Sequence, residues 1–199
     1  MRKNVAYFIL LMLFISCSKK AEVSYNQKIN SKRKFFEASF MGAKSILSKE
    51  GKKKFKGLDY YNVDTGFIVE ANIIWKKNPI PVKLYNDSND FGLHFPVARL
   101  KFKLNKVSYE LTGFSSELNQ VKELFIPFLD ETSGNETYGG GRFLDVDVKS
   151  NQQLTIDFNM AYNPYCVYNP SYVCAIPPVD NDLDVKILAG EKLPLIENH

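Results

Sequence analysis

Along most of this chain apolar residues return at every second position, and only near the start do they return at helical spacing. Phe67, Val69, Ala71, Ile73 and Trp75 share one face while Glu70 and Asn72 take the other, the alternation of a half-buried strand. Leu100 to Leu104 and Val107 to Leu111 alternate in the same way on either side of Asn105-Lys106, the pattern of a tight hairpin. Further strands are predicted at Pro81 to Tyr85 and Phe91 to Phe95 around the turn Asn86-Asp87-Ser88-Asn89. Leu124 to Phe128, Arg142 to Val148, Leu154 to Phe158 and Val185 to Leu188 supply the rest. Between Ser24 and Gly42 the period is helical: Ser24-Tyr25-Asn26-Gln27 has capping-box spacing, Ile29, Phe36 and Phe40 fall on one face, and Gly42 is a stop. Ser45 to Lys54 holds one more helical turn. Frequent turns without alternation of strand and long helix predict a mainly β fold. The expected architecture is a sandwich or barrel of antiparallel strands with an N-terminal amphipathic helix against it, one domain over residues 24–199.

Ahead of that domain, residues 1–16 read as a signal peptide, with Arg2 and Lys3 before an apolar run, Val5 to Ile15, that is too short to span a bilayer. Phe14-Ile15-Ser16-Cys17 resembles a lipobox, which would make Cys17 the acylated first residue of the mature chain and residues 17–23 a lipidated tether. The alternative is an ordinary secretory leader in which Cys17 is incidental. An apolar share of 45% with 14% aromatics describes a folded, sheet-rich globule. The net charge of +4 hides an asymmetry: Lys19 to Lys56 carries 12 basic and 3 acidic residues, whereas from Gly57 onward acids outnumber bases. A basic arm beside a lipidated Cys suits anionic head groups, and an exported chain with an acidic body is not expected to bind nucleic acid. Ser18-Lys19-Lys20 contains no acidic run, so the expected location is the cell membrane or outer membrane, facing the periplasm.

Candidate chemistry concentrates between Phe125 and Asp184. Asp130-Glu-Thr-Ser-Gly-Asn-Glu-Thr-Tyr-Gly-Gly-Gly-Arg142 links two strands. Glycines free to take positive φ let backbone N–H groups converge on an anion, and Arg142 adds a forked donor suited to carboxylate or phosphate. The competing reading is a wide hairpin pinned by Arg142 against Asp145, Asp157 or Glu136. Asp157 and Asn159 stand two apart at the end of an apolar strand, so they share a face opposite Ile156 and Phe158. An inward Asp157 would need Arg142 or several N–H donors. Tyr162, Tyr165 and Tyr168 suit either stacking on a sugar or other flat ligand, or the packing of a long loop. Cys166 and Cys174 most simply form a disulfide in an exported protein; the sharper alternative is a metal site joined by His94 and a carboxylate, although the spacing matches no structural zinc pattern. No metal and no cofactor are expected. A Ser-His-Asp or Cys-His device would rest on His94, since the other histidine is the terminal His199.

Taken together these segments resemble a bacterial family named domain of unknown function 1684. The resemblance is carried by Phe55-Lys-Gly-Leu-Asp-Tyr-Tyr61, Pro127-Phe-Leu-Asp130, Thr132-Ser-Gly-Asn-Glu-Thr-Tyr138, Gly141-Arg-Phe-Leu-Asp145, Asp157-Phe-Asn-Met-Ala-Tyr-Asn-Pro-Tyr-Cys166, Cys174 with Pro177-Pro178, and Ala189-Gly-Glu-Lys192. Where family members often carry a His-Pro and a Ser-Pro-Leu, this chain has Met41-Gly-Ala-Lys-Ser-Ile-Leu47, so any role of that His is absent. The resemblance implies a compact, mainly β domain, often lipid-anchored, and brings no activity. The reading that follows is a non-enzymatic cell-envelope lipoprotein that binds a small polar or anionic ligand. Arg142 would be the clamp, with Glu136, Thr137, Tyr138, Asp157, Asn159, Tyr162 and Asn163 around it. The alternatives are a hydrolase with Glu136 or Asp157 as base and Arg142 stabilising negative charge, and a structural or interaction protein in which the whole block is scaffold.

Overall fold

The structure, a computed structural model, describes residues 23–84 and 94–195. The expected leader, Cys17, the turn Asn86 to Asn89 and His199 lie outside them. Six antiparallel strands form one sheet: β1 Ile68–Trp75, β2 Phe95–Leu104, β3 Val107–Ser115, β4 Glu123–Asp130, β5 Arg142–Asp147 and β6 Gln153–Asp157, in the order β5-β4-β3-β2-β1-β6. A two-residue strand, β7 Asp182–Leu183, adds to β4 in parallel. The sheet curls until its edge strands β5 and β6 approach each other, so of the two architectures the sequence allows, the chain takes the barrel-like one, as a half-barrel.

Alternation fills the inside of the curl. Ala71, Leu100, Leu111, Leu124, Ile126, Phe128, Leu144, Ile156 and Phe158 are buried there. Asn105 and Lys106, both at positive φ (51° and 69°), make the turn between β2 and β3, the left-handed geometry whose twist matches a hairpin. Helix α1, Tyr25–Met41, starts as its capping box predicts: Ser24 Oγ accepts from the Gln27 backbone N–H at 3.3 Å and the Gln27 side chain accepts from Ser24 N–H at 3.0 Å. Its Phe40 packs with Leu47, Leu58 and Tyr168 in a satellite core, stacking on Phe55 at 5.2 Å and meeting Tyr168 edge-on at 4.9 Å. A short helix α2, Lys49–Lys54, follows, capped by Ser48.

Three expectations are corrected. Pro81 to Leu84 is no strand and carries the bridge Val82↔His94, while Tyr85 and residues 91–93 of the expected pair lie outside the described residues. Val185 to Leu188 is no strand, because its backbone serves side chains instead: Ile187 N–H donates to Asp130 and its carbonyl accepts from Arg142. Asn159 does not share a strand face with Asp157, since β6 stops at Asp157 and a 3₁₀ turn, Phe158–Met160, begins. The β3–β4 ladder also opens where Pro127 offers no N–H. Asn181 fills the gap, accepting from Thr112 N–H at 2.6 Å and donating to the carbonyls of Thr112 at 3.0 Å and Pro127 at 2.7 Å.

Candidate functional site

The Gly-rich loop between β4 and β5 spends most of its backbone donors on itself. The N–H groups of Asn135, Glu136 and Thr137 all converge on the Thr132 carbonyl, Gly134 N–H goes to Thr137, and Gly141 N–H goes to Tyr138. Thr137 is buried with its hydroxyl 2.9 Å from that of Thr132, and Glu136 is exposed, accepting from Tyr61 Oη at 3.1 Å with Lys186 Nζ at 3.6 Å. Gly141 sits at φ +86°, where a Cβ would collide with the Phe128 carbonyl oxygen, so it is required by the turn rather than by a ligand.

Arg142 and Asp130 follow from strand parity. Arg142 shares its face with Leu144 and Val146, and Asp130 shares its face with Ile126 and Phe128, so both charges point inward at the same end of the β4–β5 pair. Arg142 has no exposed surface. Its Nη2 donates to Asp130 Oδ1 at 3.2 Å and the Ile187 carbonyl at 2.9 Å; Nη1 donates to the carbonyls of Ala189 and, at 3.2 Å, Glu191. Its partner is thus Asp130 and not Asp145, Asp157 or Glu136. The other Asp130 oxygen accepts from Ile187 N–H and Thr132 Oγ1, both at 2.8 Å. The rings of Phe128 and Tyr61 lie 5.4 and 6.0 Å from the guanidinium carbon, and burial lowers the pKa of Arg142 while Asp130 opposes that shift. Beside it Glu191 is buried, accepting from Asn163 N–H at 2.9 Å and from Tyr168 Oη. Loss of solvent pushes the Glu191 carboxyl up to about 8, so at neutral pH its neutral form dominates. Asn163 is sealed in the same cluster, donating to the Lys192 carbonyl at 2.7 Å.

The open space lies on the outer side of the sheet. A cleft of about 930 Å³ runs between α1, the β4–β5 edge and the loop that follows β6, within the ~300–1,000 Å³ usual for small-molecule sites. Phe125 and Phe143, the outward residues of β4 and β5, meet edge to face at 5.0 Å; Tyr162 crosses Phe143 at 6.0 Å and Phe36 of α1 at 6.3 Å. His94 lies 6.0 Å beyond Phe125. The opposite wall carries Tyr165 and Tyr172, paired at 5.6 Å and held by the disulfide joining Cys166 to Cys174, whose Cα atoms are 5.8 Å apart. Asp145 stands at the mouth, opposite Phe125 in the strand register, and accepts from Tyr162 Oη at 2.7 Å. Asp145 is exposed, but the surrounding walls take part of the solvent from its carboxyl and raise its pKa, an effect the Tyr162 bond partly offsets. Arg33 reaches the cleft from α1, but its guanidinium stacks 4.4 Å over Tyr60 and donates to the carbonyls of Tyr61 at 2.9 Å and Asn159 at 3.1 Å.

The expected site residues therefore divide. Tyr162 and Asn159 line the cleft; Arg142, Thr137 and Asn163 are buried in the barrel end; Glu136 and Tyr138 stay on the loop. Asp157 accepts from Tyr25 Oη at 2.7 Å and from Asn159 N–H at 3.1 Å, fixing α1 to the end of β6. Glu136 and Asp157, the two acids expected as candidate bases, line neither the cleft nor a second cavity of about 880 Å³ between Lys76 and Asp180. Residue-by-residue reading missed Asp130, Glu191, Asp145 and Arg33. Parity with Phe128 marks Asp130, and parity with Phe143 marks Asp145 as outward; no local signal marks Glu191. Among the described residues no group of three or more His, Cys, Asp or Glu is placed to hold a metal ion, and no helix is long and apolar enough to cross a membrane.

A family model described as a protein of unknown function, DUF1684, matches residues 53–192, which takes in the whole sheet and the Asp130, Arg142 and Glu191 cluster but not α1. The solution structure of an uncharacterized protein of Haloarcula marismortui is similar, with 32% sequence identity and a TM-score of 0.67 over 83% of this chain and 92% of that chain. No curated protein matches. With the family model spanning well over half its length, the chain belongs to the family of proteins of unknown function DUF1684.

Proposed function

We propose that this chain is a non-enzymatic binding module of the cell envelope, held at the membrane through a lipidated Cys17 on the periplasmic side, and that it takes a small organic ligand in the cleft outside the β4–β5 edge. One observation carries the binding reading: the rings of Phe36, Phe125, Phe143, Tyr162, Tyr165 and Tyr172 converge on an open space of small-molecule size with a carboxylate at its mouth. Apolar walls with a few placed polar groups are the usual makeup of such sites. The ligand expected at Arg142 moves to the cleft, because the guanidinium has no exposed surface and both its Nη nitrogens are taken by Asp130 and backbone carbonyls, although its Nε has no partner among the described residues.

The test is a nitrogen-15 NMR titration of the purified chain with a mixture of small aromatic and aliphatic fragments. Shifts gathered at Phe125, Phe143, Tyr162 and Tyr172 are the expected result; a cleft silent to every fragment sinks the reading. Anchoring is tested separately, by labelling cells with a palmitate analogue, which should mark the wild-type chain and not Cys17→Ser.

A further inference from the structure

We infer that the cleft selects an organic cation, an ammonium or quaternary ammonium group on a small apolar body, with its positive end against Asp145 and the rings of Phe125, Phe143 and Tyr162. The inference rests on the cleft being a ligand site and adds the sign of the charge it reads. Asp145 is embedded in rings by the strand geometry: Phe143 precedes it by two residues on the same face of β5, Phe125 stands directly across on β4, and Tyr162 donates to one of its oxygens at 2.7 Å. Among the described residues Tyr162 is its one hydrogen-bond donor and no Lys or Arg pairs with it. Asp145 is exposed enough for a ligand to reach it, and a carboxylate that has lost part of its solvent to the surrounding rings without gaining a cation is stabilised by a positive group placed beside it.

The rings add attraction of the same sign, since their faces present negative charge to a cation within about 6 Å. The neighbouring acids on this outer face, Glu123 and Asp147, are cross-strand partners two residues along from Phe125 and Asp145, and deepen the negative potential at the mouth. Two positive side chains, Arg33 and Lys32, also line the cleft, and neither pairs with Asp145. Arg33 is committed to two carbonyls and the Tyr60 ring, and Lys32 is exposed at the rim.

Three probes of one shape decide the matter: choline, its neutral carbon isostere 3,3-dimethylbutan-1-ol, and the anion 3,3-dimethylbutanoate, each titrated into the purified chain at neutral pH with the cleft resonances followed by NMR. Choline is expected to bind about tenfold tighter than the alcohol, which corresponds to ~1.4 kcal/mol, and the carboxylate weakest. Asp145→Asn is expected to remove that preference and leave the alcohol unchanged, while Tyr162→Phe, which keeps the ring and frees the carboxylate, retains it. Equal or tighter binding of the alcohol or the carboxylate overturns the cation and leaves the cleft standing as a binding site. Silence toward all three probes, in a chain whose cleft responds to the fragment mixture, also overturns the cation; silence toward the mixture as well overturns the binding reading with it.

Discussion

Two acids on the strands that Arg142 joins, Asp130 twelve residues before it and Asp145 three after, have opposite fates. Asp130 points into the barrel end, where Arg142, Ile187 N–H and both the N–H and the hydroxyl of Thr132 donate to its carboxylate; Asp145 points out into a cleft, where one tyrosine donates to it. The Ser133 hydroxyl even bonds back to the first of these, whereas the second faces open volume. Both stand on adjacent strands of one hairpin, so what separates them is the parity of the strand and nothing in their chemistry. Inside, the Asp130 oxygens and the Nη nitrogens of Arg142 are paired with each other and with backbone groups and act as a bolt between β4, β5 and the segment Val185 to Glu191, with Arg142 Nε and Asn163 Oδ1 left over. Outside, polar groups are left with capacity to spare, which is the condition a ligand can use. The inner cluster thus fits the scaffold reading and the outer cleft the binding reading.

The sharpest way to break this comparison is to remove the bolt. Arg142→Met leaves Asp130 buried without its cation, and a loss of about 3–5 kcal/mol is expected by urea denaturation. A loss below ~1 kcal/mol would show that Arg142 is not structural and would return it to the list of ligand groups. Next in size is a pH effect from Glu191. Its carboxyl ionises near pH 4.5 when unfolded and near 8 in the folded chain. Below pH 4.5 both states hold the proton; between 4.5 and 8 only the folded state does, so stability falls as pH rises through that window and levels off above it. Glu191→Gln, which cannot ionise, is expected to flatten this decline when unfolding free energies are compared at pH 5 and pH 8. An unchanged slope in the variant would mean that Glu191 is charged in the fold.

How much of this was legible beforehand follows from the range of each rule. Alternation is local, so the strands, the Asn105-Lys106 hairpin and the capping box of α1 were readable from neighbouring residues alone. The same alternation, extended by two residues, assigns Arg142 to the core with Leu144 and Val146, against the exposed clamp that its guanidinium chemistry suggested. Its pairing with Asp130 required knowing that β4 and β5 are neighbours, and its three carbonyl acceptors come from Ile187, Ala189 and Glu191, far along the chain. Those carbonyls also explain why the strand expected at Val185 to Leu188 does not form: a segment that gives its backbone to a buried side chain cannot also form a ladder. The cleft escaped because it is assembled from α1, two strand faces and a disulfide loop, and no stretch of sequence contains it.

The disulfide tests whether the outer wall is as separable from the barrel as the comparison implies. Cys166→Ser with Cys174→Ser opens a short loop, and a loss of about 2–3 kcal/mol is expected from thermal unfolding of the oxidised wild type against the variant. Because Tyr165 and Tyr172 stand on that loop while Phe125 and Phe143 stand on the sheet, the resonances of the first pair should broaden or shift and those of the second should stay in place. Movement of the Phe125 and Phe143 signals by as much would show that wall and floor are one unit.

The smallest expected stability change belongs to Tyr162→Phe, and it is the most discriminating. The hydroxyl removed makes a 2.7 Å bond to a carboxylate at the mouth of the cleft, so stability should change by no more than ~1 kcal/mol, in contrast to any cut in the inner cluster. Its effect should appear in the acid instead. Burial raises the Asp145 pKa and the Tyr162 bond lowers it, so deleting the bond while keeping the ring should move the titration of Asp145 further up, as followed by carbon-13 NMR of the side-chain carboxyl. If Asp145 titrates at an ordinary aspartate value in both proteins, the cleft mouth is as wet as open surface and the contrast between the two acids reduces to one of exposure. If it titrates high and moves higher, the outer carboxylate is short of partners in a place that excludes water, which is the property that Asp130, with its partners already in place, lacks.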